Sequence, residues 1–256
     1  MNLPRAIAFP RVMTDTDLIP IERLDLHLVR KPWPFANKHR AEIDRHFAEA
    51  QRSKPDLWNG RVLVLHEFTI ADGVFRGSYL ETDFASFLAW RDWDFPDKSV
   101  RNCFAMGALR AQDGAFVLGV MGSHTANAGK IYFMGGTPDP QDVVGDTVDL
   151  ERSVLRELHE ETGLSCASVR PEPGWCAIFD GGRIAMVKVL RLSEPAGAVR
   201  ETILAHLARE RRPELADVHV VRGPADLDSR MPPFVPKFFQ YIWQNSDTAY
   251  RTGSQS

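Results

Sequence analysis

The segment DLERSVLRELHEETGL, residues 149–164, is a helix whose two ends are both written into it. Asp149 is an N-cap residue, and Leu150, Val154 and Leu158 repeat at four-residue spacing to make one apolar stripe. Gly163 followed by Leu164 gives a left-handed stop. A helix over 150–162 therefore has one face to bury, and a single stripe is stable only against a sheet or other helices. Just ahead of it, KIYFMGG (130–136) reads as a short strand ending in paired glycines.

The rest of the chain supplies that sheet. Strands are expected over 103–110 and 115–121 about the Asp113-Gly114 turn, over 176–179 and 183–192 about Asp180-Gly181-Gly182, and over 218–221. Helices are expected over 198–210 and over 234–244, after Pro232-Pro233. Upstream lie a strand over 24–29, the Pro-rich KPWPF, a helix over 37–52, strands over 61–70 and 74–80 joined by Ala71-Asp72-Gly73, and a helix over 83–90. Strands and helices interleaved with hairpins predict a mixed sheet covered by helices. The absence of a Gly-x-Gly-x-x-Gly fingerprint after a strand argues against a dinucleotide fold. The pattern divides into an N-terminal unit, 1–98, and a larger unit, 99–256.

Composition narrows the partners. A net charge of −3 with 25% charged residues lacks the basic excess of a nucleic-acid binder, and 44% hydrophobic residues is ordinary for a globular protein. Cys103, Cys166 and Cys176 make neither a disulfide framework nor a Cys-x-x-Cys pair and are expected to be reduced and buried. The stretch 1–17 breaks its apolar residues with Arg5, Pro10, Arg11 and Asp15, unlike a secretory leader, and no run is long enough to cross a bilayer. The expectation is a cytoplasmic protein with no membrane partner.

On the helix, Glu157, Glu160 and Glu161 fall at i, i+3 and i+4, which places three carboxylates on one patch. Acidic helix faces are more often merely solvated, and like charges at these spacings cost roughly 0.2–0.5 kcal/mol per pair. Hard carboxylate oxygens without His or Cys suit Mg²⁺ or Mn²⁺, and Arg156 beside them is suited to a bidentate carboxylate contact. Gly135 and Gly136 can bring backbone groups close to a phosphate or metal.

The run Arg156-Glu157-Leu158-x-Glu160-Glu161-x-Gly163-Leu164 resembles, at every specified position, the second half of the Nudix box. The first half departs from it. The common pattern has a glycine, five residues, a glutamate and seven residues before the arginine. Here nineteen residues separate Gly136 from Arg156, six more than the pattern allows. Counting back from Arg156 puts Val148 where the family has glutamate, so that carboxylate is absent unless Asp146 or Asp149 stands in for it, and Asp149 is claimed by the N-cap. The lengthened stretch TPDPQDVVGDTV reads as a surface loop. GGTPDP with a long spacer, preceded by PDLWNGRVLVL and YLETDFASFLAW, looks like the mammalian Nudix group that hydrolyses UDP-glucose and UDP-galactose.

The resemblance implies a Nudix α/β/α sandwich with a mixed sheet, extended by a smaller N-terminal α+β unit. It implies a Mg²⁺- or Mn²⁺-dependent pyrophosphohydrolase acting on a small nucleoside diphosphate linked to a group X, with a UDP-sugar as leading substrate and ADP-ribose, ADP-sugars or coenzyme A as alternatives. Glu157, Glu160 and Glu161 would hold metal, with Glu157 and Glu161 the principal ligands and Arg156 orienting them. Gly135 and Gly136 would form the phosphate loop. A homodimer is compatible with it. The family's additional acidic residue from a distant loop would be Glu214, with Glu210 a weaker choice and a plain surface glutamate the ordinary alternative. A catalytically silent nucleotide-binding domain is the competing reading, motivated by Val148 and the long loop. An isoprenoid diphosphate isomerase ranks last, for want of its cysteine and glutamate pairings. His124 and His159, the aromatics Trp58, Trp175 and Phe179 as base-stacking groups, and the run Arg209, Arg211, Arg212 are further candidates, each with packing or solvation as its ordinary role.

Overall fold

In the computed structural model, residues 18–252 are described. The strands are β1 (Leu18–Ile21), β2 (Arg23–Leu28), β3 (Arg61–Ala71), β4 (Val74–Asp83), β5 (Asn102–Arg110), β6 (Phe116–Met121) and β7 (Ile131–Tyr132). They continue as β8 (Met134–Gly136), β9 (Val143–Val144), β10 (Thr147–Val148), β11 (Val169–Pro171), β12 (Trp175–Asp180), β13 (Arg183–Leu192) and β14 (Leu215–Val221). The α-helices are α1 (Pro34–Lys38), α2 (Arg40–Ser53), α3 (Phe84–Asp92), α4 (Leu150–Thr162), α5 (Ala196–Leu207) and α6 (Phe234–Thr252).

The fold is α/β with mixed sheets, as the alternation of elements predicts. The larger sheet runs β1-β12-β13-β5-β6-β14, with β13 parallel to β5 and its other pairings antiparallel. Its two faces follow the strand period of two. Cys103, Ala105 and Leu109 point with Trp175, Ala177, Ile184 and Met186 into a core that takes α4 and α5. Met106, Ala108, Ile178 and Val187 point the other way, against Phe234, Phe238 and Phe239 of α6. The sheet is thus sandwiched between helices. Gly107 lets α4 approach closely, since a Cβ there would lie 3.0 Å from Val154 Cγ1.

The smaller sheet, β3-β4-β2-β10-β9, faces the first core with Leu26, Leu63, Leu65, Phe75 and Tyr79. Its opposite face, carrying Val64 and Leu80, buries α1 to α3 in a third, aromatic core around Trp33, Phe47 and Trp90. The boundary at residue 98 is crossed in both directions. β1 completes the larger sheet by pairing with β12, and β9 and β10 complete the smaller one by pairing through β2. Pro20 is accommodated because β1 is an edge strand.

Several local expectations change. The helix expected over 37–52 begins earlier, at Pro34 in a first-turn position, and breaks at His39. The Pro-rich KPWPF is packed against the core: Trp33 and Phe35 are buried. The strand over 130–136 is split into β7 and β8 at Phe133, whose side chain is buried in the second core. β1 and β11, absent from the strand pattern, form as edge pairings. Cys103 and Cys176 are buried, but Cys166 is exposed. The stretch 1–17, read above against a leader, lies outside the described residues. Among the described residues no helix is long and apolar enough to cross a membrane.

Candidate functional site

Helix α4 forms as its punctuation requires. Asp149 accepts from Arg152 N–H at 3.0 Å, Leu150, Val154 and Leu158 are buried, and Gly163 closes the helix at φ 71° with its N–H on the His159 carbonyl at 2.9 Å. The side of α4 that meets β8 carries the chemistry. Glu161 is 4% exposed and accepts the Gly135 N–H at 3.2 Å. Gly135 sits at φ 144°, and a Cβ there would overlap the Ala105 carbonyl, so only glycine lets β8 lie this close to β5. Gly136 lies against Glu157, whose carboxylate a Cβ would meet at 3.3 Å. The paired glycines therefore bring the β8 backbone against both carboxylates.

The three glutamates do not share one surface patch. Glu157 and Glu161 turn inward, whereas Glu160 is more than half exposed and pairs with Arg156 Nη1 at 3.1 Å. Burial pushes the Glu157 carboxyl up to about 7 against the pull of Arg156, with Glu160, Glu214 and Asp142 adding to the rise. The Glu161 carboxyl is raised well above the usual range, by burial first and then by the charges of Glu214 and Glu157, with the Gly135 N–H opposing. Glu214, from the loop before β14, belongs to the same electrostatic group. Its carboxyl is raised by burial, opposed by His124 and further raised by Glu160. The Tyr132 hydroxyl senses the convergence: it is raised by burial, eased by the Asn127 hydrogen bond, and raised again by Glu161, Glu214 and Glu157 in turn.

Arg156 is the hub of this network. It reaches Glu157 Oε1 at 3.0 Å and Glu160, but its two-pronged contact is with Asp142, Nε and Nη2 on Oδ1 at 3.3 and 3.2 Å and Nη2 on Oδ2 at 3.2 Å. Asp142 is wholly buried; its other carboxylate contact is the Asp139 N–H at 3.0 Å, and its carbonyl accepts from Asp149 N–H at 2.8 Å. Counting back from Arg156 missed this residue. Counted forward, Asp142 follows Gly136 after five residues, the spacing the common pattern gives its glutamate. The six surplus residues lie after Asp142, as the hairpin of β9 and β10. The stretch expected as a surface loop is thus structured: Thr147 pairs with His27, Asp146 O accepts from Leu28 N–H at 2.8 Å, and Pro138 O accepts from Leu63 N–H at 2.8 Å. Val148 is a core residue, 3% exposed, and the ion pairs of Arg156 are with Asp139, Asp142, Glu157 and Glu160 rather than with Asp146 or Asp149.

The remaining candidates separate cleanly. His159 Nδ1 meets the Leu164 carbonyl at 3.1 Å and serves the helix end. Glu210 pairs with His206 at 3.3 Å, and Arg212 pairs with Asp56. Trp175 and Phe179 are core, the first under Lys188 and the second against Phe68. Trp58 is not: it is 82% exposed. No group of three His, Cys, Asp or Glu side chains among the described residues is gathered into a ready cation cage.

No protein-family model matches the chain, and no curated protein does. Solved structures do. A Nudix hydrolase from M. smegmatis, RenU, aligns at 17% identity and TM-score 0.34, over 59% of this chain and 84% of its own. The Bacillus subtilis pyrophosphohydrolase BsRppH, in a mutant form, aligns at 13% identity and TM-score 0.35, over 56% and 81%. The MutT protein from Methanosarcina mazei Go1 aligns at 18% identity and TM-score 0.39, over 57% and 95%. Likeness at these scores carries no argument for a function, which has to come from the residues of the site.

Proposed function

We propose that this chain is a Nudix-type pyrophosphohydrolase that cleaves the diphosphate linkage of a small nucleoside diphosphate derivative, a UDP-sugar being the leading substrate, with Mg²⁺ or Mn²⁺ as cofactor. The observation that carries the reading is Glu161, a buried carboxylate that accepts the Gly135 N–H and is pushed up by burial and by the like charges of Glu214 and Glu157. Buried anions are ordinarily paired. Hard oxygens left uncompensated at the end of a glycine-lined strand fit a divalent cation.

Glu157 and Glu161 would be its principal holders, with Glu214 at the rim and Glu160 on the solvent side. Such an ion neutralises diphosphate charge and makes a bound water a stronger nucleophile. The chain's own residues do the positioning. Arg156, fixed by Asp142, holds Glu157 and Glu160 in place. Gly135 and Gly136 would bring backbone close to a phosphate held beside the carboxylates. The reading of a silent nucleotide binder loses part of its motive, since the carboxylate thought missing at Val148 has a counterpart in Asp142.

The test is release of phosphomonoester from a panel of UDP-sugars, ADP-ribose, ADP-sugars and coenzyme A with Mg²⁺ or Mn²⁺. One class is expected to turn over, chelation to stop it, and Glu161→Gln to abolish it with the protein still folded. Full activity in that variant overturns the assignment.

A further inference from the structure

Lys188 stands where the strand pattern of β13 calls for an apolar side chain. Ile184, Met186, Leu190 and Leu192 alternate on the face of β13 that packs into the first core, and Lys188 falls on that face between Met186 and Leu190. It is 5% exposed. Its ammonium lies over the Trp175 ring, 5.0 Å from the centroid, and reaches Glu151 Oε2 at 2.9 Å. An ammonium carries three N–H donors, and Glu151 is its one ion-pair partner among the described residues. A buried lysine tied to a glutamate is by itself an ordinary way to hold a helix to a sheet, so the space in front of the pair decides whether it does more.

The pair opens onto a cavity of about 330 Å³. Its origin is topological. The chain leaves the larger sheet at Ile21, opposite Trp175, and enters the smaller sheet at Arg23, so the two sheets part at this point. Hairpin strand β10 pairs with β2 only at Thr147 and His27, which leaves the earlier residues of β2 without a neighbour on that side among the described strands. Arg23 and Asp25 of β2, Leu150 and Glu151 in the first turn of α4, Trp175 and Lys188 line the space. At a rise of about 1.5 Å per residue, Glu157 and Glu161 lie roughly 9 and 15 Å further along α4 than Glu151. None of the cavity's lining residues belongs to the carboxylate site.

We propose that this cavity binds a small organic carboxylate, which takes the Lys188 ammonium from Glu151. Glu151 itself shows the chemistry: its carboxylate oxygen sits at hydrogen-bonding distance from Lys188 Nζ, and its side chain is 44% exposed, so it can turn out to solvent when another carboxylate takes its place. Trp175 supplies a flat apolar wall beside the ammonium. The surrounding charges limit the ligand's own charge. Glu22, Asp25 and Asp149 border the cavity with Arg23, so a single negative charge is accommodated at Lys188, whereas a phosphate dianion would meet several carboxylates of its own sign. The volume is at the lower end for small-molecule sites and suits a compact ligand. The proposal goes beyond the hydrolase reading and uses no residue of that site.

The experiment measures binding rather than turnover. Wild type, Glu151→Gln and Lys188→Met, all full length, are titrated calorimetrically with acetate, benzoate and glycine, and with inorganic phosphate, in metal-free buffer at constant ionic strength. At least one of the carboxylates is expected to bind one to one. Glu151→Gln removes the internal competitor and is expected to tighten that binding by roughly 2- to 5-fold, while Lys188→Met, which drops the charge, is expected to weaken it by about 10-fold or more. A purely structural ion pair predicts no gain in Glu151→Gln, so that variant decides the matter even where Lys188→Met fails to fold. Absence of carboxylate binding in both wild type and Glu151→Gln overturns the proposal. So does unchanged or weaker binding in Glu151→Gln, equal affinity in Lys188→Met, or phosphate binding as tight as any carboxylate. Because the hydrolase reading is decided by Glu161→Gln in turnover, the two can fail independently.

Discussion

Replacing Asp142 tests whether Arg156 is held from the segment that precedes the surplus hairpin. Asp142 is fully buried and Arg156 is 20% exposed at its side chain, so the pair is largely shielded from water. Breaking a buried ion pair by removing one partner costs about 3–5 kcal/mol. Arg156 keeps some solvent and two other carboxylates, Glu157 and Glu160, which brings the electrostatic loss below that range, to about 2–3 kcal/mol. Asp142→Ala also removes the acceptor of the Asp139 N–H, worth about 1 kcal/mol, whereas Asp142→Asn retains an oxygen there. Asp142→Ala is therefore expected to lose about 3–4 kcal/mol in urea unfolding, or ~10 °C in Tm, with Asp142→Asn intermediate. A cycle with Arg156→Ala isolates the pair, and a coupling of about 2 kcal/mol is expected. Coupling below about 0.5 kcal/mol, or an Asp142→Ala protein melting with wild type, refutes the reasoning.

Two further outcomes follow from the same geometry. Without metal, the folded-state pKa of Glu157 is about 7 and that of Glu161 is also raised, against about 4.3 in the unfolded chain. The folded form then holds these protons more tightly, so the stabilising contribution is complete below about pH 4.3 and, for Glu157, is lost as pH rises through about 7, with Glu161 shifting stability in the same direction. Tm in chelator should fall across that window and Mg²⁺ should restore it at the alkaline end; a flat profile in chelator contradicts the assigned burial. Val148→Glu, which restores a glutamate at the position counted back from Arg156, puts a carboxylate into the core and is expected to destabilise by about 3 kcal/mol or more with no gain in turnover per folded molecule. An active, stable variant would place that carboxylate beside Arg156 after all.

What could be read from the sequence was local. Helix α4 has the bounds its cap, stripe and glycine stop dictate, because each acts within a turn or two of the residue that carries it. The hairpins about Asp72-Gly73, Asp113-Gly114 and Gly181 have the same origin, in glycines at positive φ. The grouping of Glu157 and Glu161 on one helix follows from a repeat of 3.6 residues. Tertiary structure decided everything that depends on what lies across a gap. Whether a glutamate on that helix faces β8 or water was settled by packing, and it separates Glu161 from Glu160. Asp142 was hidden because its partner lies beyond a hairpin whose length no periodicity measures. That hairpin looked like a loop because its two strands are only two residues long and exist by pairing with β2, more than a hundred residues earlier. Packing was the ordinary expectation for Trp58, beside base stacking, but a hydrophobic side chain is buried only where a complementary surface comes to cover it, and Trp58 is left 82% exposed.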